Sequence, residues 1–110
     1  MAKKATYHER VFEVTQLIPF GRVSTYGAIA DYLALGSARM VGWALRNSME
    51  SMHVPAHRVV NRKGELSGRH GFPSPTMMQE LLEGEGIEIK NDQVVNFKDL
   101  FWHPAEGLED

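Results

Sequence analysis

Two short amphipathic segments on either side of Leu35-Gly36-Ser37 constrain this chain more than any other feature. Before that turn, Ile29, Ala30 and Leu33 recur at helical spacing, and Ser24 or Thr25 can cap the first amides. After it, Val41, Ala44 and Leu45 form the apolar stripe of a helix predicted from about Ala38 to Asn47, which also carries Arg39 and Arg46. A third helix is predicted over Tyr7–Leu17. Val11, Val14, Leu17 and Ile18 make its apolar face, Thr6 is a candidate cap, and Pro19-Phe20-Gly21 ends it. Two helices across a glycine-containing turn, the second bearing arginines, read as a helix-turn-helix. Periodicity alone leaves nucleic-acid binding no more than an even choice.

Charge distribution adds direction. The net charge is −2, but residues 1–70 carry ten Lys/Arg against five Asp/Glu (+5), and residues 71–110 carry two against nine (−7). Such polarity suggests one face for a polyanion and an acidic face turned away; the plainer alternative is an acidic end that is merely solvated. With 110 residues, a single domain (1–110) with one hydrophobic core is expected. No apolar run approaches the roughly 20 residues of a membrane span. The N-terminal lysines have no apolar region behind them, so a secretory signal is not expected. The absence of cysteine excludes disulfides and thiol chemistry and fits an intracellular protein. His53 and His57 are spaced i,i+4 with no compelling third ligand, so no metal and no cofactor are expected.

The remaining segments are shorter. Ser48–Val54 reads as a loop or edge segment, and Asn61–Leu66 as a turn and short strand. Phe72-Pro73-Ser74-Pro75 reads as a rigid loop before a helix over Thr76–Glu83. Met77, Met78, Leu81 and Leu82 are apolar there, and the methionines are assigned to the core. Gly86–Lys90 and Val94–Phe97 alternate around Asn91-Asp92-Gln93, the pattern of a small hairpin. The segment Leu100–Pro104 is strongly apolar for a terminus.

Three of these stretches carry a resemblance. Pro55-Ala56-His57-Arg58-Val59-Val60 resembles the Pro-Cys-His-Arg-Val-Ile/Val motif of the O6-alkylguanine-DNA alkyltransferases, with Ala56 at the cysteine position. Gly21-Arg22-Val23-Ser24-Thr25-Tyr26-Gly27 is similar to a second family block. Ser37–Arg46 is similar to the family's recognition helix, which enters the minor groove. The blocks stand in family order and the resemblance covers Tyr7 to Pro104, without the N-terminal domain of many full alkyltransferases. Because a methyl group has no lone pair to attack an alkyl carbon, the closer resemblance is to the alkyltransferase-like proteins.

What the resemblance implies is specific. The fold would be mainly α with short β-strands, a winged-helix-like helix-turn-helix DNA-binding domain. Ser24, Thr25, Tyr26, Ala38, Arg39, Gly42 and Arg46 would face DNA, small Ala38 and Gly42 letting the helix enter a groove about 6 Å wide. Arg39 would fill the gap left by an extruded nucleotide; a plain phosphate contact is the alternative. The lesion pocket would use Tyr26, Ala56, Val59, Arg69 and Trp102, with Val59 and Ala56 contributing backbone carbonyls. Arg69 stands where repair-competent members carry tyrosine and would contact the modified guanine; a surface or phosphate role is its alternative. His57 and Glu85 match the family's reactive-site pair with no thiol to activate, and hydrolysis through His57 is the weaker alternative. Trp43 departs from the family's small residue and faces either core or groove.

The function so implied is a non-catalytic sensor. It would bind O6-alkylguanine in double-stranded DNA as a monomer, flip the base and mark it for nucleotide excision repair proteins. A sequence-specific helix-turn-helix regulator is the competing reading.

Overall fold

The computed structural model describes residues 6–48 and 53–108. Capping starts the first two helices. The Thr6 hydroxyl accepts from the Glu9 amide at 3.2 Å at the head of α1 (Tyr7–Gln16). The Thr25 hydroxyl accepts from the Ala28 amide at 3.0 Å at the head of α2 (Tyr26–Tyr32). Helix α3 (Ala38–Arg46) follows and buries Val41, Ala44 and Leu45. Helices this short are marginal in water, so packing of their apolar stripes must supply the stability. Val11 and Val14 of α1, Ile29 and Ala30 of α2 and the α3 stripe meet in one cluster. Burying Ile29 completely contributes about 1.5–3 kcal/mol, and Ile29→Ala would cost about 2–5 kcal/mol with the cavity included.

A pair of two-residue strands divides this cluster from a second one. β1 (Ser24–Thr25) runs parallel to β2 (Val59–Val60), pairing Ser24 with Val59 and Thr25 with Val60. Side chains alternate across a strand. Val59 therefore joins the three-helix cluster, while Val60 joins Val23, Leu66, Met78, Leu82, Ile87 and Val94. All four residues, Ser24 and Thr25 of β1 and Val59 and Val60 of β2, are buried, the two-sided burial that suits a parallel pair. A 3-10 turn over Ala56–Arg58 delivers the chain into β2. The C-terminal segment also joins here: the Val23 amide donates to the Leu100 carbonyl at 3.1 Å, and the Trp102 amide donates to the Val23 carbonyl at 2.7 Å.

The second cluster is closed by α4 (Met77–Gly84), which buries Met78 and Leu82 but leaves Leu81 exposed. The hairpin of β3 (Ile89–Lys90) and β4 (Gln93–Val94) turns on Asn91 and Asp92, with φ of +53° and +58°. Two successive left-handed residues are the hairpin turn whose twist matches the strands. Gln93 is thus in a strand rather than the turn, and Phe97 opens α5 (Phe97–Leu100) instead of extending the hairpin. Residues 49–52, part of the expected 48–54 loop, lie outside the described residues. The fold is helix-rich with short strands, a winged-helix-like arrangement as anticipated. Among the described residues no helix is long and apolar enough to cross a membrane.

Candidate nucleic-acid interface

A cleft of about 570 Å³ opens where α3, the 56–58 turn and the loop after Leu66 converge. The same periodicity that sends Val41, Ala44 and Leu45 inward turns Arg39, Gly42, Trp43 and Arg46 outward or sideways along it. A Cβ built on Gly42 would meet nothing within 4 Å. The protein therefore does not need glycine there; the open space lies on the cleft side of the helix. Ser37 makes no side-chain capping bond, so the α3 amino end keeps its partial positive charge beside Ala38 and Arg39. Among the described residues neither Arg39 nor Arg46 has an ion-pair partner. Among the described residues no carboxylate lines the cleft.

Tyr26 forms the α2 side of the cleft. Burial raises its phenol above the usual range, opposed by a hydrogen bond with the Ser67 hydroxyl and by the Arg46 guanidinium. Its hydroxyl lies against Gly68, where an added Cβ would come within 2.5 Å of the oxygen. Gly68 is thus the residue that lets the loop close on Tyr26. Ala56 lines the cleft at the head of the 3-10 turn, and Ser67, His70, Gly71 and Phe72 complete the wall.

Behind Ala56, one carboxylate ties three segments together. Glu85, at the C-cap of α4, accepts from the Gly21 amide at 2.7 Å, and from Arg58 Nε at 3.1 Å and 3.0 Å. It meets His57 Nε2 at 2.6 Å. The Arg58 guanidinium also donates to the Ile18 carbonyl at 2.9 Å. Burial pushes the Glu85 carboxyl up, but the bonds from Gly21, His57 and Arg58 outweigh it and hold the carboxyl below its ordinary value. The arrangement fastens the 56–58 turn to the Gly21 turn and α4. No nucleophile stands at position 56 for His57 to serve.

The comparisons with known proteins agree with this geometry. Residues 6–87 match the family described as 6-O-methylguanine DNA methyltransferase, DNA binding domain. Alkyltransferase-like protein 1 of Schizosaccharomyces pombe is 36% identical over 103 residues, covering 89% of this chain and 95% of the relative. The chain belongs to the alkyltransferase-like family. The DNA base-flipping protein of Escherichia coli is 31% identical over 104 residues, covering 94% of this chain and 79% of that protein. The crystal structure of the S. pombe protein in complex with damaged DNA containing O6-carboxymethylguanine superposes with a TM-score of 0.78 at 33% identity, covering 92% of this chain and 98% of that one.

Within this alkyltransferase-like fold, six of the residues singled out from sequence meet at the cleft: Tyr26, Ala38, Arg39, Gly42, Arg46 and Ala56. Others go elsewhere. Ser24 is fully buried, and its hydroxyl has no partner among the described residues, so its side chain is sealed from a groove. The Thr25 hydroxyl is occupied as the α2 cap. Val59 is fully buried and outside the cleft lining. Trp102 is no pocket wall but part of the three-helix core, because its backbone bond to Val23 draws the large ring inward. Arg69 turns away from the lining and pairs with Asp92 at 3.2 Å. Trp43 is half exposed and lines the cleft, so it is not a core residue. Leu45, Ser67, Gly68, His70, Gly71 and Phe72 were not anticipated at the site. The only signal for most of them is their position just before and after Arg69.

Proposed function

We propose that this chain is a non-catalytic sensor of O6-alkylguanine in double-stranded DNA. It docks α3 in the minor groove and receives the flipped base in the cleft. The observation that carries this reading is the cleft itself: lined by Arg39 and Arg46, free of carboxylates among the described residues, and headed by a methyl side chain at position 56. Arg39 fills the gap in the base stack, and Arg46 and the α3 amino end meet phosphates. Gly42 and Ala38 let the helix backbone approach closely. Tyr26, Ala56 and Phe72 surround the extruded base, with backbone carbonyls at Ala56 and Val59 as its polar contacts and Arg69 reaching the modified position. Ser24 and Thr25 act by shaping the entry to α2. Support for a DNA ligand comes from the relatives, whose descriptions name base flipping and whose structure holds O6-carboxymethylguanine DNA.

Alanine at the acceptor position makes alkyl transfer impossible there, and the His57–Glu85 pair serves as scaffold. The protein acts as an intracellular monomer through this domain, and its persistent complex marks the lesion for nucleotide excision repair proteins. Flipping costs a few kcal/mol, offset by Arg39, base contacts and phosphate contacts.

The test compares two matched duplexes, one with guanine and one with O6-methylguanine, at one moderate salt concentration. The recovered oligonucleotide is then analysed for the methyl group. Preference for the lesion with the methyl retained is expected. Equal affinity for both duplexes with discrimination among undamaged sequences would replace the sensor by a sequence-specific regulator. Loss of the methyl group would make the protein an enzyme.

A further inference from the structure

Arg69 begins the 3-10 turn Arg69–Gly71, and its neighbours Gly68 and His70 both line the cleft. Its own guanidinium is held outside. Nη1 lies 3.2 Å from Asp92 Oδ2, with the two side chains 34% and 49% exposed. Asp92 is not placed there by accident of a mobile loop. It is the second left-handed residue of the hairpin turn, and its backbone carbonyl accepts from the Leu66 amide at 2.9 Å. Arg69 is tied to the same point, since its amide donates to the Leu66 carbonyl at 3.2 Å. Both partners of the ion pair are therefore anchored on Leu66, one through each backbone group. Among the described residues no carboxylate lines the cleft, so none of them offers a released Arg69 a second counter-ion inside.

We propose that Asp92 is the counter-ion that parks Arg69 outside the cleft in the free protein and yields it when a modified base is bound. Asp92 is then a specificity-determining residue although it lies outside the cleft lining. This rests on the reading that the cleft receives the lesion and that Arg69 contacts it. The energetics suit a removable clamp. An ion pair this exposed is weak and screened by salt, so it lowers apparent affinity by the fraction of molecules in which Arg69 is held away.

The test is a double-mutant cycle: wild type, Asp92→Asn, Arg69→Gln and the double variant, each titrated with guanine and O6-methylguanine duplexes. Asparagine is at home in the left-handed conformation, and the Leu66 bond goes to a main-chain oxygen, so the hairpin survives; thermal melts verify that. Asp92→Asn should tighten binding to the lesion duplex by about two- to fivefold, the range of one exposed ion pair. It should leave the guanine duplex nearly unchanged. The gain should vanish in the Arg69→Gln background. Equal tightening of both duplexes in both backgrounds would overturn the proposal, because Asp92 would then act only by repelling phosphates. Unchanged or weaker lesion binding would also overturn it, because the pair would then hold Arg69 in its working position or do nothing. If wild type itself shows no lesion preference, the functional reading falls, and this inference with it. That outcome is read from the wild-type arm alone.

Discussion

Glu85→Gln isolates the interaction on which the site's geometry rests. The substitution keeps the side chain's shape and removes its charge. The wild-type carboxylate is 6% exposed and serves the Gly21 amide, His57 Nε2 and Arg58 Nε at distances between 2.6 and 3.1 Å. A glutamine offers one acceptor oxygen and turns an NH2 group toward the remaining donors. At least one charge-assisted bond is lost, worth about 1.5–3 kcal/mol, and a half-buried Arg58 loses its counter-charge. Arg58 keeps the Ile18 carbonyl, which limits the damage to roughly 2–4 kcal/mol in total. At about 4–8 °C per kcal/mol for a domain near this size, the melting temperature should fall by roughly 8–32 °C.

Urea unfolding at several pH values measures the effect and its origin. The folded carboxyl titrates below its ordinary 4.5. Its charge-dependent contribution is therefore complete above pH 4.5 and disappears as pH falls through the lower folded value. The gap between wild type and Glu85→Gln should be constant near neutrality and shrink on acidification below about pH 4.5. Other carboxylates titrate in both proteins and drop out of the difference. A gap below about 0.5 kcal/mol, the size of an ordinary surface substitution, would refute the reasoning. So would a gap that stays the same down to pH 3.

Three further outcomes separate fold from function. Gly42→Leu should leave the free protein as stable or slightly more so, because an added Cβ meets nothing and glycine costs about 1 kcal/mol in a helix interior. The same substitution should abolish tight DNA binding in a gel-shift titration; retained affinity would mean that α3 does not approach the duplex through this face. Gly68→Ala should displace the Tyr26 hydroxyl, now 2.5 Å from the added Cβ position. Lesion affinity should then drop more than the melting temperature, whereas a full return of affinity in Gly68→Ala/Tyr26→Phe would identify the clash as the cause. Arg39→Ala should weaken lesion binding by about 1–3 kcal/mol, and Arg46→Ala should mainly reduce the salt dependence, by about one unit of slope. Isothermal titrations at three salt concentrations distinguish the two behaviours.

Local physics was legible before any coordinates. Thr6 and Thr25 cap as their position before an apolar-periodic run requires, and the α3 stripe Val41, Ala44 and Leu45 buries as its spacing demands. These features depend on neighbours three or four residues away, which a sequence displays directly. The same holds for Gly42 and Arg39, whose face follows once the stripe is known. The motif around Ala56 and its distant partner Glu85 were legible only through family resemblance. No local rule links residues 28 apart.

The rest depended on which surfaces the packed chain leaves open. Leu100–Trp102 lies beside Val23 through long-range backbone bonds, and that alignment, not the apolar character of tryptophan, takes Trp102 into the core. The two-residue parallel strands have too little pattern to announce themselves, yet they set Val59 and Val60 on opposite sides and bury Ser24. Arg69 illustrates the limit most plainly. Its charge was evident from one letter, but its direction was decided by Asp92, brought across by a hairpin whose carbonyl bonds Leu66. A sequence states which charges a chain possesses; only the assembled fold determines which of them find each other and which remain for a ligand.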